Sequence, residues 1–330
     1  MRRRSTWQAF LIALATTLFL SAMHPARMRA AEPVEHGFPL DAGRIVFLGD
    51  SITHAGRYIA EIELRLREAG VEPLPELINL GLPSETASGL SEPGHPFPRP
   101  CIHTRLDAAL EQSRPDVVVL CYGMNDGIYF PFSEERFATY RDGMDRLIAK
   151  CQAAGAEVIL LTPPPFDPLP IAAKLRKEGE GEFGFKYMFA DYDDVLAKYA
   201  ESVLARRDDV RMVIDIRTPI VQYVAQMRET DPQFTHAGDG VHPNAAGHHL
   251  IAAAILAAWG IEPAGDMDEA AFRLVMERQT VLHDAWLSHV GHERPGMKAG
   301  LPLDEANQRA ANLDQQIVEH LRQSSKPQPQ

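Results

Sequence analysis

The chain has 330 residues, 45% of them hydrophobic, which is enough for one large or two ordinary domains around a sizeable core. Its formal charge is −12, but residues 1–30 hold five arginines and no acidic residue, so the remainder carries 28 basic against 45 acidic side chains, a charge of −17. A surface of that sign repels nucleic acid and anionic membrane and suits a neutral or small substrate. Three cysteines, Cys101, Cys121 and Cys151, exclude a disulfide scaffold and show no metal-ligand spacing; a single Cys101–Cys151 bridge is compatible with the count.

The N-terminus reads Arg2-Arg3-Arg4 and then an uncharged apolar run from about Ala9 to Ala22, ending among small residues. This pattern predicts a secretory signal peptide over residues 1–30, with a mature start near Ala31 and a secreted or periplasmic destination. The run is short for a membrane span of roughly 20 residues. An uncleaved N-terminal anchor is the alternative, and no stable membrane insertion is expected once the signal is removed.

From Arg44 to about Trp259 short apolar runs alternate with segments of helical periodicity, the pattern of strands joined by crossover helices in a parallel sheet. Strands are expected at Ile45–Leu48, Leu77–Leu80, Val117–Cys121, Val158–Thr162 and Val210–Ile214, each nearly continuous in apolar character, as in strands buried on both faces. Tyr58–Ala69 and Glu134–Ala153 carry apolar residues at helical spacing, and Asn244 is placed to cap a helix running to about Ala258. Pro163–Phe189, rich in proline and polar residues, interrupts the alternation as an inserted loop at a strand end, where active sites are often bordered. Residues 41–260 thus form one α/β domain. Residues 261–323 predict a helical extension with apolar stripes through Phe272, Val275 and Trp286 and through Ala306, Leu313 and Ile317. His289 and His292, beside Arg294-Pro295-Gly296, mark a loop there that could edge a cleft. Residues 324–330 read as a disordered tail.

Three short blocks carry the chemistry. Ser51, in Gly49-Asp50-Ser51, follows a predicted strand, and a serine hydroxyl needs a base to become a nucleophile. His242, in Asp239-Gly240-Val241-His242, can supply that base, with Asp239 three residues earlier accepting the Nδ1 proton so that Nε2 faces Ser51. Asn125, in Gly123-Met124-Asn125-Asp126, can offer its side-chain NH₂ to a developing oxyanion, joined by the Ser51 amide and by the amide of Gly81 after the second strand. Asp50 and Asp126 read as hydrogen-bonding partners within their own loops. Tyr122 and Tyr129, with Phe130 and Phe132, bracket Asn125 and are either core packing or a substrate wall; Tyr122 and Tyr129 are the candidate substrate contacts. His236, His248 and His249 lie near His242, but no converging ligand set is apparent. No metal or cofactor is expected.

Ser51 in Gly49-Asp50-Ser51-Ile52-Thr53, Gly81 in Asn79-Leu80-Gly81, Asn125 in its block and His242 in Asp239-Gly240-Val241-His242-Pro243 resemble, in order and spacing, the four blocks of the GDSL/SGNH hydrolases. The resemblance spans roughly Arg44 to Gly260. It implies a flavodoxin-like three-layer α/β/α sandwich that hydrolyses esters without metal or cofactor, with Ser51 as nucleophile, His242 as base, Asp239 as its orienting acid and Gly81 and Asn125 as oxyanion donors. The chain departs from the family in the second block, where Pro83-Ser84-Glu85-Thr86 replaces a small Gly/Ser-rich turn. The expected activity is an exported serine esterase acting on a small-molecule or glycan ester, above all deacetylating carbohydrate. A lipid-directed acylhydrolase, such as a lysophospholipase or thioesterase, is the alternative within the same chemistry. A catalytically silent binding module is the alternative outside it.

Overall fold

A computed structural model describes residues 37–262 and 265–324; the expected signal peptide lies outside them, as does the tail from residue 325. The core is a five-stranded, all-parallel sheet: β1 (Arg44–Gly49), β2 (Glu76–Asn79), β3 (Val117–Cys121), β4 (Glu157–Leu161) and β5 (Met212–Ile214), in the order β2-β1-β3-β4-β5. This is the flavodoxin-like order, in which ligands bind beyond the carboxyl ends of the strands where the winding reverses. Each strand lies close to its predicted position. Leu80 and Thr162, where the chain leaves the carboxyl ends of β2 and β4 for the loops that build the site, and Val210 and Arg211, before β5 begins, fall outside the strands.

Helices on both faces explain why the strands are apolar throughout. Along β1 and β3, Val46, Phe47, Leu48, Val118 and Leu120 are all at most 1% exposed. The helices are α1 (Ser51–His54), α2 (Arg57–Glu68), α3 (Leu106–Ser113), α4 (Glu134–Ala153), α5 (Tyr192–Leu204), α6 (Arg217–Arg228), α7 (Ala245–Ala258), α8 (Glu269–Val290) and α9 (Leu303–Ser324). Caps start several of them. The Asp50 side chain accepts from Ile52 N–H at α1, Ser133 from Arg136 N–H at α4, and Asn244 from Gly247 N–H at α7, each satisfying one of the donors a helix start leaves open. Ser324, expected in the tail, is the last residue of α9. No helix among the described residues is long and apolar enough to cross a membrane.

The two C-terminal helices are sewn to the main sheet by a small second core and by charge. Phe272, Val275 and Ile317 pack against Ala60 and Leu64 of α2. Beside them the buried Glu63 carboxylate accepts from Arg67, Arg278 and Gln279. Further along α8, His283 Nδ1 donates to Asn79 O at 2.9 Å, so its Nε2 is left to accept from His54 Nδ1 at 2.7 Å at the end of α1. All three cysteines are free, which removes the Cys101–Cys151 bridge.

Candidate active site

The sequence blocks meet at the carboxyl edge of the sheet. β1 delivers Ser51 through a turn so tight that Gly49 admits no side chain: a Cβ there would lie 2.3 Å from Thr53 Oγ1 and 2.8 Å from Cys121 O. Ser51 is the first residue of α1, where backbone N–H groups have no intrahelical partner. Beneath it, burial raises the Asp50 carboxyl to about 7, partly offset by the Ile52 N–H that it accepts.

From the other end of the chain, the loop before α7 brings His242 Nε2 to 2.8 Å from Ser51 Oγ and His242 Nδ1 to 2.7 Å from Asp239 Oδ2. Asp239 Oδ1 also accepts the His242 and Val241 amides, at 2.8 and 3.0 Å, so one carboxylate fixes both the ring and the loop that carries it. Burial pushes the Asp239 carboxyl up, but these three donors outweigh it and hold the group below the usual carboxylate range. In return the Asp239 hydrogen bond raises His242 above the ordinary histidine value against the opposing effect of burial. Both side chains are about half exposed, 51% for His242 and 58% for Asp239.

The support of this loop was not visible in the sequence. The segment after β4 turns back so that Asp167 N–H donates to Gly240 O at 2.9 Å, and the buried Asp167 carboxylate accepts from Arg228 of α6, at 2.8 and 2.9 Å, and from Thr235 at 2.6 Å. Burial opposes ionisation of Asp167, but the nearby His236 ring, the Thr235 hydroxyl and the Arg228 guanidinium hold the group ionised well below its usual range. The Pro163–Phe189 loop therefore does border the site, and its first turn is the floor under the histidine loop.

Asn125 stands after β3, 3% exposed. Its Oδ1 accepts from Arg99 Nη1 at 2.9 Å and from Tyr129 OH at 3.0 Å, while Nδ2 donates to Glu85 O at 3.2 Å. Two donors on one side settle which end of the amide is NH₂ and leave a second N–H for a ligand. Arg99 is itself buried and doubly bonded to Glu92, at 2.7 and 2.8 Å. Tyr129, under the Arg99 guanidinium, and Ile128 both have positive φ, 60° and 48°, a conformation that costs a β-branched residue most.

Two expectations are corrected. Tyr122 and Tyr129 offer no wall to a substrate: Tyr122 is 1% exposed with its hydroxyl on Glu85 at 2.7 Å, and Tyr129 is 4% exposed with its hydroxyl on Asn125. Both are supports behind the site. Gly81 has its N–H engaged by Asn79 Oδ1 at 2.9 Å, so that amide is not free for an oxyanion. What the position needs is absence of a side chain, because a Cβ at Gly81 would sit 2.3 Å from His54 N in α1. His248 stacks on Tyr58 and His249 pairs with Glu61, so neither histidine points its bonding toward His242.

Comparison with known proteins agrees with this geometry at the level of family and fold. The model of the GDSL-like lipase/acylhydrolase family matches residues 47–250. No curated protein matches the chain. Among solved structures, a gut microbial diltiazem-metabolizing enzyme is 21% identical with a TM-score of 0.51, over 66% of this chain and 47% of its own, so the chain spans about half the length of that enzyme. An acetylxylan esterase from Geobacillus stearothermophilus is 20% identical with a TM-score of 0.49, over 68% of this chain and 97% of its own. A second acetyl xylan esterase, AlAXEase, is 22% identical with a TM-score of 0.49, over 65% and 98%.

Proposed function

We propose that this chain, which belongs to the GDSL-like lipase/acylhydrolase family and is a carboxylic ester hydrolase, cuts its ester by a Ser51–His242–Asp239 mechanism and that its substrate is a small acyl ester of a carbohydrate. The observation that carries the mechanism is the unbroken hydrogen-bonded chain from Ser51 Oγ through His242 to Asp239, at 2.8 and 2.7 Å. His242 Nε2 takes the Ser51 proton as Oγ attacks the acyl carbon, and Asp239 stabilises the imidazolium that results. The negative charge on the former carbonyl oxygen is met by the Ser51 N–H and by the second N–H of Asn125 Nδ2. A third donor is the N–H of Ser84, which among the described residues has no hydrogen-bond partner. Its turn is tied on one side to Gly49 O and on the other to Asn125. Collapse of the intermediate expels the alcohol, protonated by His242, and a water activated by the same nitrogen then releases the acid and restores Ser51.

The choice of substrate rests on the surface around this centre. His242 and Asp239 stand open to solvent, and the large hydrophobic residues exposed among the described ones are Tyr187, Val221 and Leu301, on separate elements. That distribution forms no apolar patch of the kind an enzyme needs to settle on lipid, and the acidic balance of the chain opposes an anionic bilayer. Export, which the N-terminal sequence implies, would bring the enzyme to polymeric carbohydrate. The test is a p-nitrophenyl ester series from acetate to palmitate together with acetylated xylooligosaccharide, run beside Ser51→Ala. Highest kcat/KM at acetate and release of acetate from the oligosaccharide are expected, both abolished in the variant. A maximum at long chains would replace this substrate class with lipid.

A further inference from the structure

The weakest sequence block hides a device that reaches across from the C-terminal extension. Leu82, Pro83, Ser84 and Glu85 form a turn closed by Glu85 N–H to Leu82 O at 3.2 Å. Ser84, third in it, has φ +68°, and proline in second place holds its own φ near −65°. Only the type II turn combines those two values, and its third position favours glycine. Types I and II differ by a flip of the central peptide, here Pro83–Ser84. In the type I orientation Ser84 would occupy an ordinary conformation, so the serine at this position pulls the peptide toward the flip.

One side chain opposes it. Arg294, in the loop between α8 and α9, donates its Nε–H to Pro83 O at 2.9 Å while its guanidinium lies over the Phe97 ring, 5.1 Å from the centroid, and Nη1 donates to Pro295 O at 3.0 Å. The C=O and N–H of a trans peptide point in opposite directions. A charged donor on the Pro83 carbonyl therefore fixes the Ser84 N–H on the far side of the turn. The turn's two ends are tied to either side of the site: Leu82 N–H bonds Gly49 O, two residues before Ser51, and Glu85 O accepts Asn125 Nδ2. From beneath, the buried Glu85 carboxylate is gripped by Arg105 at 2.7 Å and by Tyr122. Those bonds hold the turn's last residue but leave its central peptide to Arg294.

We infer that Arg294 is a positioning residue for the ester hydrolysis, locking the Pro83–Ser84 peptide so that the Ser84 N–H meets the oxyanion. The C-terminal extension is then part of the active site. This inference rests on the ester-hydrolase reading and deepens it. Arg294 touches no reacting atom; it acts through the peptide, and glycine at position 84, which adopts φ +68° freely and keeps its N–H, makes the arginine dispensable.

The experiment compares wild type, Arg294→Ala, Ser84→Gly and the double variant as full chains. Turnover of p-nitrophenyl acetate is expected to lose about 10- to 100-fold in kcat in Arg294→Ala, with KM within about twofold, part of the 10²- to 10³-fold that a whole oxyanion donor supplies. The double variant should return to within about threefold of Ser84→Gly alone. An Arg294→Ala enzyme within twofold of wild type in kcat, or a loss that Ser84→Gly does not repair, overturns the inference; the second result would mean that Arg294 serves the substrate directly. The same four proteins are compared in thermal unfolding, which needs no substrate, with Arg294→Lys added in case the alanine variant does not fold. Ser84→Gly should raise the midpoint more in wild type, where the arginine holds Ser84 at φ +68°, than in the arginine-deleted background, where the peptide is free to flip and shed that strain, and equal increments in the two backgrounds overturn the inference. A wild type with no turnover of any ester sinks the hydrolase reading instead, and the thermal cycle still decides the turn.

Discussion

The two halves of the proposed active site are built on opposite principles. The acid–base half, Asp239 and His242, is half exposed and local, three residues apart on one loop. The oxyanion half, Asn125, is 3% exposed and is held by Arg99, Glu92 and Tyr129, which are almost as buried. The difference follows from what each half must do. A base exchanges protons with water and needs access to it, whereas donors for a developing charge work best when fixed in advance and kept from water. The exposed half is steadied from below by one ionised carboxylate, Asp167, itself paired with Arg228. The buried half is steadied by complete ion pairs, because an isolated charge there would be far too costly.

Variants that break the comparison rank by which half they strike. Ser51→Ala and His242→Ala should each remove about 10⁴-fold or more of kcat with the fold intact, seen as unchanged circular dichroism beside lost turnover. Asp239→Asn should cost on the order of 10³- to 10⁴-fold, because an amide no longer selects the tautomer that leaves Nε2 free. Asn125→Ala should cost about 10²- to 10³-fold in kcat with little change in KM. Glu92→Ala strikes stability first: it strands Arg99 in the interior and should lower unfolding free energy by roughly 3–5 kcal/mol in urea titration. Tyr129→Phe, which removes one of two donors to Asn125 Oδ1, should be the mildest, at about threefold to tenfold in kcat with KM unchanged.

The halves also differ in how pH should act on them. His242 is raised by Asp239, and it must be neutral to accept the Ser51 proton. Activity should therefore be low in acid and rise through a midpoint above 6.5, displaced downward in any Asp239 variant that still turns over. Asp167 has a folded value below its unfolded one. The stability it contributes is full above the unfolded value near 4 and is lost as pH falls through the folded value, so Asp167→Asn should flatten that acid limb of the unfolding midpoint. Asp50 runs the other way. Its folded value of about 7 lies above the ordinary aspartate value of 3.8, so its contribution is full below about 4 and disappears as pH rises toward 7. Asp50→Asn, which can still accept the Ile52 N–H, should raise the unfolding midpoint at pH 8 relative to wild type and change it little at pH 4.

How much of this was legible in the sequence follows from the range of the interactions. The sheet was readable because strands buried on both faces must be apolar along their whole length, as Val117–Cys121 is. Asp239 and His242 were readable as a pair because three residues of loop suffice to join them, and Asn244 because a cap lies next to its helix. Arg99, Glu92, Asp167, Arg228 and Arg294 were not. Glu92 acts through Arg99, seven residues on, but the others meet partners dozens to hundreds of residues away, and one sequence carries no sign of such meetings. Tyr122 and Tyr129 were misread because aromatic residues flanking a catalytic block look alike whether they face a ligand or brace the block from behind. Gly81 was misread for a similar reason: a glycine after a strand serves close packing against α1 as readily as it offers an amide, and only its bond to Asn79 Oδ1 distinguishes the two.

The central claim is that Ser51 is a nucleophile made reactive by His242. Mass spectrometry of the intact protein after treatment with a fluorophosphonate, followed by peptide mapping, measures this without knowledge of the natural substrate. A single adduct on Ser51 is predicted, forming faster as pH rises through the His242 midpoint and slowed by at least about 10³-fold in His242→Ala. Folded wild-type protein that leaves Ser51 unlabelled, or labels it equally fast without His242, would contradict the account.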